Sequence, residues 1–123
     1  MIEGLMQALQ PEVMLWMTVG IMMGMVVGTL PGLTATMGTA LLVPFTFALD
    51  THSGIAMLGG LYVCAMFSDA IPAVLVNTPG TPAAMATAFD GHPMTKQGRA
   101  QEAIVAACFS SALGTVFGAG CYL

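Results

Sequence analysis

A chain of 123 residues with 57% apolar side chains, a mean hydropathy of +0.88 and only six acidic and two basic residues is not an ordinary soluble domain. Soluble domains carry about 25% charged residues, whereas this one has 7% and too little polar surface to cover itself. Two bases and a net charge of −4 also exclude a nucleic-acid partner, because phosphate contacts require a basic face.

The charges lie at Glu3, Glu12, Asp50, Asp69, Asp90, Lys96, Arg99 and Glu102 and leave charge-free runs at 13–49, 51–68, 70–89 and 103–123. A hydrocarbon core about 30 Å thick takes about 20 helical residues, so these are membrane lengths. The expected fold is all-α and polytopic, with broken helices or re-entrant hairpins at the Pro-Gly motifs, apolar blocks 13–49, 51–89 and 103–123 and a polar loop at 90–102. The N-terminal MIEGLMQALQPEV has two Glu and no base ahead of its apolar run, which is wrong for a cleavable signal peptide. The first span is therefore expected to stay in the mature protein.

Block 13–49 has 37 residues, about 55 Å as one helix, too long for a single crossing. Leu30-Pro31-Gly32 interrupts it by removing a donor and freeing the backbone, which predicts two half-length helices. The first, about 13–30, carries Gly20, Gly24 and Gly28, with Gly32 just beyond, at the four-residue spacing that lets another helix approach closely.

Block 51–89 has 39 residues with one charge, Asp69, and is broken at Pro79-Gly80. A shift of 48 residues aligns 31–40 with 79–88 at six identities in ten positions. Paired interruptions of apolar segments point to a transporter binding site. Asp69 is costly in such a block and by default marks a proton or ion pathway; the other reading is a junction between two shorter helices, with Ser68 before it and Pro72 after.

Segment 90–102 holds both bases, Lys96 and Arg99, and is expected to face the cytoplasm. His52 and His92 sit at block ends, where loop positions are expected and a metal or catalytic role is not. Cys64, Cys108 and Cys121 lack metal or redox spacing and read as packing residues. The last span, 103–123, places Gly114 and Gly118 on a close-packing face. Ser110 and Ser111 have no base in reach, so an enzyme is not expected. Because the sequence stops in apolar territory at Cys121-Tyr122-Leu123, it reads as the front portion of a longer membrane protein.

The chemistry concentrates at the two breaks. A helix that begins inside lipid has four amides without intrahelical acceptors, and its N-terminus carries about half a positive charge. An anion, and a carboxylate in particular, meets both needs without a buried Lys or Arg. The candidate binding residues are Pro31, Gly32, Thr34 and Thr36 at the first break, and Asn77, Thr78, Pro79, Gly80 and Thr81 at the second. Pro82 suits a helix start. The competing reading is a simple kink with threonines bonded to their own helix. Exposed carbonyls at a break also suit a cation, with Asn77 and Asp69 as ion-coupling candidates. No other cofactor and no bound metal are expected; a proton or sodium ion would be the coupling ion.

The motifs Gly28-Thr29-Leu30-Pro31-Gly32-Leu33-Thr34-Ala35-Thr36-Met37-Gly38, Leu75-Val76-Asn77-Thr78-Pro79-Gly80-Thr81-Pro82-Ala83-Ala84, Asp90-Gly91-His92-Pro93-Met94 and Lys96-Gln97-Gly98-Arg99-Ala100 resemble the large membrane subunit of the tripartite tricarboxylate transporters, the TctA family. The resemblance runs from about 13 to 115 in the same order. It implies a multi-pass subunit of a bacterial inner membrane that works with a small membrane subunit, similar to TctB, and a periplasmic solute-binding protein, similar to TctC. The implied activity is ion-gradient-driven import of citrate-like tricarboxylates or related carboxylates, with turns 31–36 and 77–82 binding substrate. Where the family commonly has a Gly-rich pair after an aromatic, this chain has Phe67-Ser68-Asp69, so no role for Asp69 carries over. The alternative function is a non-transporting helical membrane subunit whose glycine faces serve assembly.

Overall fold

A computed structural model describes residues 2–122, which form seven α-helices and no strand among the described residues. They are α1 (Ile2–Ala8), α2 (Pro11–Thr29), α3 (Ala35–Thr46), α4 (Thr51–Ser68), α5 (Ala70–Val76), α6 (Pro82–Lys96) and α7 (Ala100–Tyr122). Three stretches, Pro11–Thr29, Thr51–Val76 and Ala100–Tyr122, are long and apolar enough to cross a membrane.

The glycines of α2 explain its position. Gly20, Gly24 and Gly28 form a bare strip along one side, and each lies against a backbone carbonyl of α4: Met57, Leu61 and Ala65 in turn. The constant offset of 37 residues shows that α2 and α4 run in the same direction. A methyl group on Gly28 would come within 2.5 Å of the Ala65 oxygen, so the backbones touch without intervening side chains. The Ser68 hydroxyl adds a bond to the Met25 carbonyl at 3.3 Å. In lipid, where the hydrophobic effect gives no net pull between helices, such close packing is what holds them together.

Helix α3 turns back between these two. Gly38 faces Val27 and Leu61, and Thr46 packs on Gly54, so α3 runs opposite to α4. Leu42 joins Met57 and Leu61 in a small core bordered by Trp16, Val19, Leu49 and Leu58. The expectation of two half-length pieces is corrected here. Helix α2 has 19 residues, a full span, and only α3, with 12, is short. Pro31-Gly32 falls after this span-length helix has ended, and Gly32 takes a positive φ of 89° to reverse the chain.

The polar loop expected at 90–102 is also smaller than that. Helix α6 continues through Asp90–Lys96, and α7 starts at Ala100, leaving Gln97, Gly98 (φ 78°) and Arg99 as the connection. Pro93 did not stop α6, because Gly91 packs against Val74 and Thr95 donates to the Val74 carbonyl at 2.9 Å, which anchors the turns on either side. His52 and His92 are accordingly helical rather than in loops, with His92 Nδ1 3.4 Å from the Val74 oxygen. In α7 only Ala103 is buried, and nothing among the described residues lies within 4 Å of a methyl placed on Gly114 or Gly118. The close-packing face expected there has no partner among the described residues.

Candidate functional site

Both breaks end in helices started by a threonine. Thr34 is the N-cap of α3, its hydroxyl accepting from the Met37 amide at 3.2 Å, and Thr81 is the N-cap of α6, accepting from Ala84 at 3.4 Å. The caps are offset by one residue from the 48-residue alignment, because Pro82 takes the first helical position of α6 and pushes the cap back to Thr81. Thr34→Ala is expected to cost about 1 kcal/mol of local stability at the start of α3. Amide hydrogen exchange at Met37 would read it, accelerating while α4 is unchanged.

The second break is built around Asp69. This residue joins α4 to α5 without leaving helical geometry, the place that the junction reading of the sequence gave it. Val76 ends α5, and Asn77 reverses the chain in the left-handed region, φ 57°. The Thr78 amide donates to the Pro72 carbonyl at 3.4 Å as the segment returns along α5. Gly80 and Thr81 thereby reach the Asp69 carboxylate. Gly80 N–H donates to Oδ1 at 2.7 Å, and Thr81 donates to Oδ2 through its amide at 2.8 Å and its hydroxyl at 2.5 Å. Helix α6 then sets off along α5, with Ala84 and Ala88 against Ala73.

The sequence argument expected open amides at both breaks. At the second this is corrected for Gly80 and Thr81, whose donors are taken by an acid of the same chain. Asp69 is 2% exposed, and a carboxylate buried that far needs donors as much as the helix start needs an acceptor. One short block contained both needs, eleven residues apart, and that pairing was the missed signal.

The first break is different. The amides of Ala35 and Thr36 receive no acceptor from the described residues. Thr36, Asn77 and Thr78 are exposed, and their side chains make no hydrogen bond among the described residues. The two turns also meet. A methyl on Gly80 would lie 2.8 Å from the Leu33 carbonyl oxygen and 2.9 Å from Asp69 Oδ1, a contact that only glycine permits. Leu33 was not among the residues singled out by sequence, since its contribution is a backbone oxygen. The structure brings Leu33 of the first turn against Gly80 of the second, whereas Asn77 lies at the far end of α5 from Asp69.

Separately, a groove of about 840 Å³ lies between α4, α6 and α7, lined by Tyr62, Phe67, Thr87, Asp90, Ser110 and Thr115 among others. The Ser110 and Thr115 hydroxyls donate to carbonyls of their own helix, at Ala106 and Ser111. Neither they nor Ser111 forms a nucleophile and base pair. Arg99 Nε donates to Glu102 at 3.0 Å on the exposed surface, and this pair raises the Arg99 guanidinium above its usual range through the hydrogen bond first and charge second.

Span-length apolar helices, close glycine packing between two of them, and a broken segment after each define an all-α polytopic membrane protein. The pattern of the Tripartite tricarboxylate transporter TctA family matches residues 14–123, and the chain belongs to that family. It is 40% identical over 114 residues to an uncharacterized 52.8 kDa protein in the TAR-I ttuC′ 3′ region of Agrobacterium vitis, covering 93% of this chain and 22% of that protein. A second relative, an uncharacterized protein of Methanocaldococcus jannaschii, is 35% identical over 107 residues, covering 85% of this chain and 26% of the relative. The chain thus spans about a quarter of the length of these relatives. No solved structure matches it.

Proposed function

We propose that this chain forms part of the membrane subunit of a secondary importer of tricarboxylates or related organic carboxylates, driven by an ion gradient. It would act in a bacterial inner membrane as a multi-pass protein, with a small membrane subunit and a periplasmic solute-binding protein as partners. Family membership supports the transporter class and the partnership. The observation that carries the site is the meeting of the two Pro-Gly turns at Leu33 and Gly80.

In this reading a solute carboxylate is held at the first turn by the free amides of Ala35 and Thr36, with Pro31 and Gly32 shaping the approach and the Thr34 and Thr36 hydroxyls alongside. The second turn, Asn77 to Thr81, forms the facing wall. Asn77 and Thr78 offer free polar groups, while Pro79, Gly80 and Thr81 bring the wall close. A helix start carries its positive end without a counter-ion in lipid, so it attracts an anion yet releases it more readily than a buried Arg would.

The test is uptake of labelled citrate and of a dicarboxylate by the full-length protein with its partners, after Thr34, Thr36, Thr78 and Thr81 are each replaced by Val. The Thr36→Val and Thr78→Val proteins, whose hydroxyls make no internal bond, are expected to lose about tenfold or more in uptake at normal protein levels, as expected when a solute loses a bonded hydroxyl partner. Unchanged uptake would remove the two turns as the solute site, and absent uptake by the wild-type assembly would favour the non-transporting assembly subunit instead.

A further inference from the structure

Asp69 is buried in the longest apolar stretch of the chain, yet no cation balances it. Among the described residues the one ion pair is Arg99 with Glu102, at the other end of α6. All three donors to Asp69 come from Gly80 and Thr81, so its charge is compensated by the N-terminus of the helix it holds. The returning segment has few other ties. Asn77 and Thr78 are exposed, and the Thr78 amide bond to Pro72 is long at 3.4 Å.

We propose that Asp69 is a proton-operated latch that positions the second Pro-Gly turn. The ionised carboxylate fastens Gly80 and Thr81 to the α4–α5 junction and keeps Gly80 against the Leu33 carbonyl. A proton added to one carboxylate oxygen gives that oxygen a hydrogen to donate, leaves it a poor acceptor and removes the charge that strengthens all three bonds. The two amides and one hydroxyl directed at the carboxylate are then held weakly, and turn 77–81 loosens. Loss of the same proton fastens it again. One proton is taken up and one returned, and no covalent bond besides that O–H forms or breaks.

Among the described residues no other titratable side chain is bonded to Asp69. Among the packed helices, α3 and α5 carry no titratable side chain, and Glu12 lies at the far end of α2. His52, Tyr62 and Cys64 of α4 and Asp90, His92 and Lys96 of α6 make no bond to it. For its transport consequence the latch rests on the import reading. Uptake would be coupled to protons because the turn facing the solute opens and closes with the charge on Asp69.

The experiment is hydrogen exchange, read by mass spectrometry on peptides spanning 77–85, in the full-length protein in lipid vesicles. Rates are corrected for the intrinsic pH dependence of exchange. Wild-type protection is expected to fall as the pH is lowered. Asp69→Asn is expected to exchange about tenfold faster or more, with no pH dependence, because a charge-assisted acceptor is lost. Asp69→Glu should restore protection and its pH dependence, and Thr81→Val should keep the pH dependence with weaker protection. Protection in wild type that does not vary with pH, or wild-type protection in Asp69→Asn, overturns the latch. Citrate uptake measured on the same vesicles separates the two ideas. Absent wild-type uptake with a pH-dependent latch removes the import reading alone, and pH-dependent uptake with pH-independent exchange removes the latch alone.

Discussion

Gly24→Leu is expected to prevent α2 from docking on α4. Even a methyl group at Gly24 runs into the backbone carbonyl of Leu61, and Gly20 and Gly28 above and below it are equally tight. A crowded side chain can often be relieved by a rotamer change, but here the obstacle is main chain within a hydrogen-bonded helix. Overpacking costs about 1–3 kcal/mol where the surroundings can shift, so a loss of about 3 kcal/mol or more is expected where they cannot. The contrasting substitution is Gly59→Leu, on the open side of α4, where nothing lies within 4 Å. Its effect should stay within about 0.5 kcal/mol, as for surface positions generally. Unfolding titrations of both variants in bicelles would separate them, and equal stability would mean that the glycine strip is not the interface.

The second large effect is expected from Asp69→Leu, which keeps the branching at Cγ but leaves the Gly80 amide, the Thr81 amide and the Thr81 hydroxyl without an acceptor. Each unmet buried donor costs about 1–3 kcal/mol, so the total is expected at about 3–5 kcal/mol once the hydroxyl finds another partner. The diagnostic is a double-mutant cycle with Thr81→Val. Removing the hydroxyl from the Asp69→Leu protein should cost less than removing it from wild type, because its main acceptor is already gone. Strictly additive losses would show that the carboxylate and the hydroxyl act independently, contrary to their 2.5 Å contact.

Taken by particular residues, the sequence carried the broad architecture. The spacing of Gly20, Gly24 and Gly28 marked a close-packing face, and the structure fills it with α4. Pro82 marked the start of α6. Pro31-Gly32 and Pro79-Gly80 marked the two reversals, although the first lies at the end of a full span rather than in its middle. Apolar periodicity was a poor guide to exact boundaries, since helices that are apolar on every side give no face to count from. Asp90–Lys96 looked like a loop by its charges and two helix breakers, and tertiary contacts of Gly91 and Thr95 with Val74 keep it helical.

The amino-acid sequence by itself determined that this is a helical membrane protein with two interrupted segments, because lipid admits only chains whose charges are few and whose backbone bonds are internally met. It also determined that polar chemistry collects at the breaks, where amides lack acceptors. Which acceptor meets them was decided only by the tertiary structure. The return of residues 77–81 along α5 places Gly80 and Thr81 on Asp69, while no such acid reaches Ala35 and Thr36. Two motifs that read alike therefore differ in the fold, one with its cap residue and the residue before it bound to a carboxylate of the same chain and one with no such acid. The physical reason is that a hydrogen bond depends on distances of about 3 Å, which the chain sets by folding and not by order along the sequence.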